Sequence, residues 1–350
     1  MKYHDPMRRA LLTWYRKHAR DLPWRKTRDP YAIWVSEIMC QQTRVDTVIP
    51  YYERFLSRFP NPKALAAASE DEVLSLWSGL GYYRRARLLH QGVRELVAQY
   101  GGAVPEDPEG RRSLPGVGRY TAGAIGSIAF GRCEPVVDGN VARVLCRYLG
   151  IQTPLGDART EKRLWAEATR FVEGPDPGDF NQAVMELGAL VCTPREPDCG
   201  ACPLRRSCVA HRTGCVGTLP VPKKRAAIVR KEVRVALPVL PGGEVILHRG
   251  EAALFGGLWA PVSVDGADPA KLRDAVRSLG IDVGPMRAVP GEVRHVLSHR
   301  DLRLTVHRGR ARGFLPSERV RAFLPADLER VGVSTLTQKL LAHAGWGTGE

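Results

Sequence analysis

Apolar residues recur at helical spacing through the first two hundred positions, interrupted by Gly and Pro, and change to alternation beyond position 232. The helical period is clearest over Val35 to Phe59, Asp71 to Trp77, Ala86 to Tyr100 and Tyr120 to Phe130, so residues 1–210 are expected to form an all-α domain. Residues 211–231 hold Gly, Pro and the basic cluster Lys223, Lys224, Arg225, Arg230 and Lys231 without a sustained apolar period; they are expected to link two domains. In residues 232–350, Val233, Val235, Leu237 and Val239 share one face, and Pro241-Gly242-Gly243 turns the chain into Glu244 to His248 as a β-hairpin. A helix over Lys271 to Leu279, a strand pair over Glu292 to Leu297 and Leu302 to His307, and a last helix over Thr335 to His343 complete an α+β domain.

A length of 350 residues agrees with two separate cores. No apolar run approaches the length needed to span a bilayer, and Met1 to Arg20 has no secretory h-region, so the expected compartment is the cytoplasm. The net charge of +15 favours a polyanionic partner, leaving DNA, RNA or an acidic membrane surface open.

Four of the eight cysteines, Cys192, Cys199, Cys202 and Cys208, fall within one short stretch, which in a reducing compartment reads as a metal site before it reads as disulfides. A zinc ribbon usually offers two Cys-x2-Cys knuckles and this loop has one, so the spacing favours a [4Fe-4S] cluster over zinc. Arg195, Arg205 and Arg206 lie in the same loop and are either phosphate contacts or solvated charge. The remaining cysteines, Cys40, Cys133, Cys146 and Cys215, are scattered and read as buried small apolar residues or inert thiols.

Leu114-Pro115-Gly116-Val117-Gly118 precedes a helical run, so its glycines allow a tight turn that presents backbone N–H groups to a phosphate; an ordinary helix-helix connection is the simpler reading. Asp138, in Val137-Asp138-Gly139-Asn140, stands before the next helix and would serve as an N-cap. Glu37 lies in an amphipathic run beside Trp34, Val35, Ile38 and Met39, either at an exposed edge or buried with a raised pKa.

Taken in order, Leu22-Pro23-Trp24-Arg25, Val35 to Thr43, Gly79-Leu80-Gly81-Tyr82-Tyr83, the glycine turn, Val137 to Asn140, the cysteine loop and Leu297-Ser298-His299 resemble the helix-hairpin-helix, iron-sulfur DNA glycosylases of the endonuclease III superfamily, and among them the adenine-removing family. The resemblance implies a multidomain protein: an all-α helix-hairpin-helix glycosylase domain with a [4Fe-4S] loop over 192–208, and a C-terminal α+β Nudix-like domain. It further implies that adenine opposite 8-oxoguanine or guanine is flipped out of double-stranded DNA and its N-glycosidic bond hydrolysed. Glu37 would be the general acid and Asp138 the stabiliser of the sugar cation, supported by Tyr120 and Asn140. Trp24, Arg25 and Tyr31 would line the adenine side, Gln42, Leu80 and Tyr82 would fill or buttress the gap, Gly116 and Gly118 would hold a phosphate, and Ser298 and His299 would read the oxidised base, with Leu297 standing where Phe is common. No Lys occurs between Lys63 and Lys162, and the position where lyases of the superfamily carry Lys is Tyr120, so base removal without Schiff-base strand cleavage is expected. Lys271 to Gly280 carries one acid, Asp274, too few to hold Mg2+ as a nucleotide-hydrolysing Nudix helix does. The protein is expected to be a monomer. The competing readings are a glycosylase for thymine mismatches or oxidised pyrimidines, and a non-catalytic cluster-bearing DNA-binding protein.

Overall fold

The computed structural model describes residues 6–223, 228–250, 256–266, 268–297 and 300–347. Helices follow in the order α1 (Pro6–His18), α2 (Pro30–Cys40), α3 (Val45–Arg58), α4 (Pro62–Ala67), α5 (Glu70–Leu76), α6 (Arg84–Tyr100), α7 (Pro108–Ser113), α8 (Arg119–Ile128), α9 (Gly139–Leu149), α10 (Ala158–Val172), α11 (Pro177–Leu190) and α12 (Val209–Arg212). Strands β1 (Val229–Val239), β2 (Val245–Arg249), β3 (Trp259–Ala260) and β4 (Val262–Asp265) come next, then α13 (Pro269–Ser278). The chain ends with β5 (Ile281–Val283), β6 (Arg287–Ala288), β7 (Val293–Val296), β8 (Arg300–Phe314), β9 (Val320–Phe323) and α14 (Thr335–His343).

The chain packs as two units, one of residues 1–66 and 91–224, the other of residues 67–90 and 225–350. This differs from the expected division at 210, because α5 and the loop after it are bonded to β2, β3 and the segment before α14. Gly332 shows how closely: a Cβ there would come within 2.5 Å of the Leu74 side chain. The expected linker is also shorter than 211–231, since α12 takes up its start and β1 already begins at Val229.

In the helical unit, Asp29 caps α2 by accepting the Tyr31 N–H at 3.1 Å, and Pro30 supplies the fixed φ of a first helical turn. Every residue from Tyr31 to Met39 is buried, so α2 is a central helix rather than the amphipathic one its sequence suggested. The long apolar period over 35–59 is two helices, because Gln41 is extended and Gln42 takes a left-handed φ of 58°. Helices α7 and α8 form the hairpin. Gly116, with φ 80°, makes its turn, whereas Gly118 is extended and caps α8 without needing glycine's conformational freedom.

Arg111 fastens this hairpin from inside. Fully buried, it donates to the carbonyls of Pro105, Glu106 and Ala122 and pairs with Glu134.

In the other unit, β1 runs parallel to β8 along its whole length and antiparallel to β4. The expected hairpin closes only at its turn, where Val239 faces Val245; β2 then leaves β1 to pair with β3 and β9. Val235, Leu237, Leu304 and Val306 bury one face of the sheet against Leu336 and Leu340 of α14. Ala236, Ile246 and Val262 bury the other against Leu272 and Val276 of α13. Alternation along β1 thus feeds two cores, one on each side.

Replacing Arg111 with Met would leave those three carbonyls and Glu134 without their cation. A loss of about 3–5 kcal/mol is expected, measurable as a lowered urea midpoint at unchanged slope.

Candidate active site

Helices α2, α8, α9 and α11 deliver their side chains to a cavity of about 480 Å³, a volume in the range of small-ligand pockets. From α2 comes Glu37, buried; the Tyr120 hydroxyl of α8 donates to its Oε2 at 2.6 Å. Burial pushes the Glu37 carboxyl up to about 7, the Tyr120 bond pulls the other way, the charge of Asp138 adds to the rise, and Arg25 opposes it. Tyr120 is itself held far above the usual phenol range, by burial first and then by the two carboxylates, so it remains a proton donor.

Asp138 is the N-cap of α9, accepting the Val141 N–H at 2.7 Å, while the Asn140 amide donates to its other oxygen at 3.1 Å. Burial raises its pKa, and the bonds from Val141 and Asn140, with Arg143 nearby, hold the rise back. Its place at a helix N-terminus favours the anion, but desolvation is the larger effect. Gly188 lets α11 come against α9 here, since a Cβ on it would lie 2.6 Å from that of Asn140.

Across the cavity, Glu186 of α11 is buried and accepts from both Arg20 and Arg25, whose terminal nitrogens lie 2.7 and 2.9 Å from Oε2. Burial alone would raise its pKa, but the hydrogen bonds from the two arginines outweigh that and bring it down to about 2. Arg25 also donates to Gln182 at 3.3 Å, so its guanidinium is fixed in plane at the wall. Trp24 and Gln42 line the same cavity.

Tyr31 does not line it. Its ring is core, and its hydroxyl donates to the Phe59 carbonyl at 3.0 Å. Leu80 and Tyr82 belong to the other unit, where Leu80 is buried and Tyr82 half-exposed. Gly116 and Gly118 sit in the hairpin turn at the start of α8, and a Cβ at Gly118 would meet nothing within 4 Å, so the backbone there is open to approach. Ser298 and His299 lie outside the described residues.

Sequence reading missed Arg20, Gln182, Met185 and Glu186, all of which line the cavity. A signal was present: Glu186 interrupts the apolar run from Ala183 to Leu190 one helical turn after Gln182.

Cys192, Cys199, Cys202 and Cys208 are free thiols whose side chains line one small cavity together with Arg147. Arg147 is buried, with one terminal nitrogen 3.3 Å from the Cys192 sulfur and 2.7 Å from the Thr193 carbonyl. Among the described residues no three His, Cys, Asp or Glu side chains converge as ligands of one metal ion would. Four thiols around one small cavity are the kind of donor set that a metal cluster takes. Arg143 joins this loop to the N-terminal end of α9, donating to the Cys192 carbonyl and to the Asn140 side chain, each at 2.7 Å.

Residues 35–169 match the model of the HhH-GPD superfamily of base excision DNA repair proteins, and residues 235–343 match a NUDIX domain. The chain is 40% identical to adenine DNA glycosylase from Rattus norvegicus over 86% of this chain and 69% of that protein. It is 37% identical to the enzyme of that name from Homo sapiens over 95% of this chain and 73% of that protein. The chain belongs to the adenine DNA glycosylase family. Among solved structures, a thermostable thymine-DNA glycosylase matches with a TM-score of 0.54 and 32% identity over 59% of this chain and 95% of its own. An endonuclease III–DNA complex matches with a TM-score of 0.50 and 24% identity over 61% of this chain and 99% of its own, a likeness of fold. The HhH-GPD and NUDIX matches lie in one chain, and no helix among the described residues is long and apolar enough to cross a membrane.

The raised carboxyl has a consequence for stability with a definite sign. A carboxyl whose folded pKa exceeds its unfolded value binds its proton more tightly when folded, so its contribution fades as pH rises from the ordinary value of 4.5 through about 7. Glu37→Gln should therefore leave stability near the parent's at pH 4.5 and make the protein more stable than the parent at pH 8, by about 1–3 kcal/mol. Chemical denaturation at the two pH values reads the difference.

Proposed function

We propose that this adenine DNA glycosylase removes adenine paired with 8-oxoguanine or guanine, with Glu37 as general acid and Asp138 as stabiliser of the sugar cation. The carrying observation is the unequal pair of carboxyls: Glu37, raised to about 7 by burial, keeps a proton to give, while Asp138 has the cap and amide bonds that support its anion. Glu37 transfers its proton to a ring nitrogen of the flipped adenine, the bond from the sugar C1′ to N9 breaks with its electrons going to the base, and Asp138 faces the cation that remains. Water then gives its hydroxyl to C1′ and its proton to a carboxylate. The Arg25, Gln182 and Glu186 wall presents fixed donors and acceptors to the base edge.

Among the described residues no lysine lines the cavity, and by the family resemblance Tyr120 stands where lyases of the superfamily carry Lys, so the product would be an intact abasic strand. The cysteine loop would hold a [4Fe-4S] cluster through Cys192, Cys199, Cys202 and Cys208, which would fix the exposed Arg195, Arg205 and Arg206 as a phosphate-facing surface. The C-terminal unit would read the opposite base through Ser298 and His299, and Asp274 as the one acid of α13 argues against nucleotide hydrolysis. Double-stranded DNA is the partner, and the protein would act as a cytoplasmic monomer. A thymine glycosylase is disfavoured because that likeness covers 59% of the chain, whereas the adenine DNA glycosylase match extends through the C-terminal unit.

Single-turnover excision from an adenine:8-oxoguanine duplex should fall at least about a hundredfold in Glu37→Gln and in Asp138→Asn with duplex binding retained. In the parent the rate should decline as pH rises through about 7, where Glu37 loses its proton. Equal rates for parent and both variants, or a borohydride-trapped adduct with the parent, would refute the assignment. The purified protein should contain about four irons per chain; stoichiometric zinc in protein prepared without oxygen would overturn the cluster.

A further inference from the structure

The loop Gly79 to Tyr83 is built to hold one aromatic side chain outward. Gly79 has φ 101°, Gly81 φ 71° and Tyr82 φ 48°, a left-handed conformation that a bulky residue adopts only when its surroundings enforce it. The enforcing contacts are present. The Trp77 indole donates to the Gly81 carbonyl at 3.2 Å, and Arg85 donates to the same carbonyl at 3.2 Å while its guanidinium lies between the Trp77 and Tyr82 rings. The Gly79 N–H donates to the Tyr83 hydroxyl at 3.2 Å. Tyr82 is left 50% exposed at the tip. An aromatic ring held stiffly at a loop tip of a basic DNA-acting protein suits insertion between bases.

The same loop is fastened to the C-terminal strands. The Tyr83 hydroxyl donates to the Val333 carbonyl at 3.0 Å and Ser78 donates to it at 3.2 Å. Val333 bridges to Trp259, whose indole donates to Asp71 of α5 at 3.3 Å; Asp71 also pairs with Arg249 of β2, which stacks over the Trp259 ring at 4.6 Å. By chain order residues 67–90 lie inside the helical half, yet their polar bonds run to β2, β3 and the strand-end segment before α14.

We propose that Tyr83 is a positioning residue, through which the unit that reads the base opposite the adenine also sets the Tyr82 tip against the duplex. This rests on the reading of the C-terminal unit given above. Opposite-base preference then depends on a hydroxyl bonded to the Val333 carbonyl and the Gly79 N–H.

The test uses the full chain with its cofactor and the variants Tyr83→Phe, Asp71→Asn, Tyr82→Ser and Tyr82→Ser/Tyr83→Phe. Single-turnover excision is measured opposite 8-oxoguanine and opposite guanine, and stacking is read from 2-aminopurine placed beside the mismatch in a duplex with a non-cleavable adenine analogue. Tyr83→Phe is expected to narrow the preference for 8-oxoguanine by about five- to tenfold, with a changed 2-aminopurine signal and a saturating rate opposite 8-oxoguanine within about twofold of the parent. Asp71→Asn should shift the same ratio in the same direction. If Tyr83 acts through Tyr82, the double variant should match Tyr82→Ser alone. Additive effects, an unchanged aminopurine signal, or equal loss opposite both bases would overturn the proposal. A parent enzyme with no preference between the two opposite bases would instead sink the reading of the C-terminal unit, and the aminopurine comparison would still decide whether Tyr83 positions Tyr82.

Discussion

A carboxyl group buried in the middle of a helical core must either lose its charge or find partners for it, and Glu37 is caught between these outcomes. It sits on α2, whose faces are covered from Tyr31 to Met39, and its hydrogen bond from Tyr120 tempers the desolvation without cancelling it. A proton that binds near neutral pH is the result, and other features of the helical unit follow from keeping it there. Helix α2 must be apolar all round, α8 must present Tyr120 at its first turn, and the hairpin that aims α8 must not move. Arg111 supplies that last condition by tying α7 to α8 and to the Glu134 segment.

Asp138 solves a related problem differently. Its place at the N-terminus of α9 gives it a backbone donor, and Asn140 adds a second bond, so its anion is supported although it is half-buried. Arg143 then ties Asn140 to the carbonyl of Cys192, so the cysteine loop and the N-terminal end of α9 share a set of hydrogen bonds. Buried Arg147, one turn further along α9, holds the same loop by its carbonyls and the Cys192 sulfur. One guanidinium therefore bonds both the loop and Asn140. On the opposite wall the Glu186 carboxylate, paired with two arginines, is the strongly acidic counterpart of Glu37, and the two differ because one has cations in contact and the other has a phenol.

The C-terminal unit depends on a different constraint. Its sheet has helices on both faces, so β1 must place Val235 and Leu237 in one core and Ala236 in the other. Strand β8 satisfies the backbone of β1 in parallel along its length, which a simple hairpin between β1 and β2 would not. Residues 67–90 add to that unit through Leu74, Tyr83 and Asp71, and carry the Tyr82 tip with them.

Features that depend on neighbours within a turn or two were legible in the residues themselves. The cysteine spacing, the Asp138 cap, the glycine turn before α8 and the amphipathic run of α14 are all local, because capping, backbone freedom and periodicity are properties of short segments. What only the tertiary structure decided are quantities set by residues far away in the chain. The Glu37 pKa depends on a tyrosine 83 positions later, and the Glu186 carboxylate on an arginine 166 positions earlier. Tyr31 falls in the core rather than at the cavity because α2 is covered on that side, and residues 67–90 join the C-terminal unit because their apolar and polar partners are there. Desolvation and long-range hydrogen bonding have no local signature, since any buried polar group looks the same in sequence as an exposed one until the segment that covers it is in place.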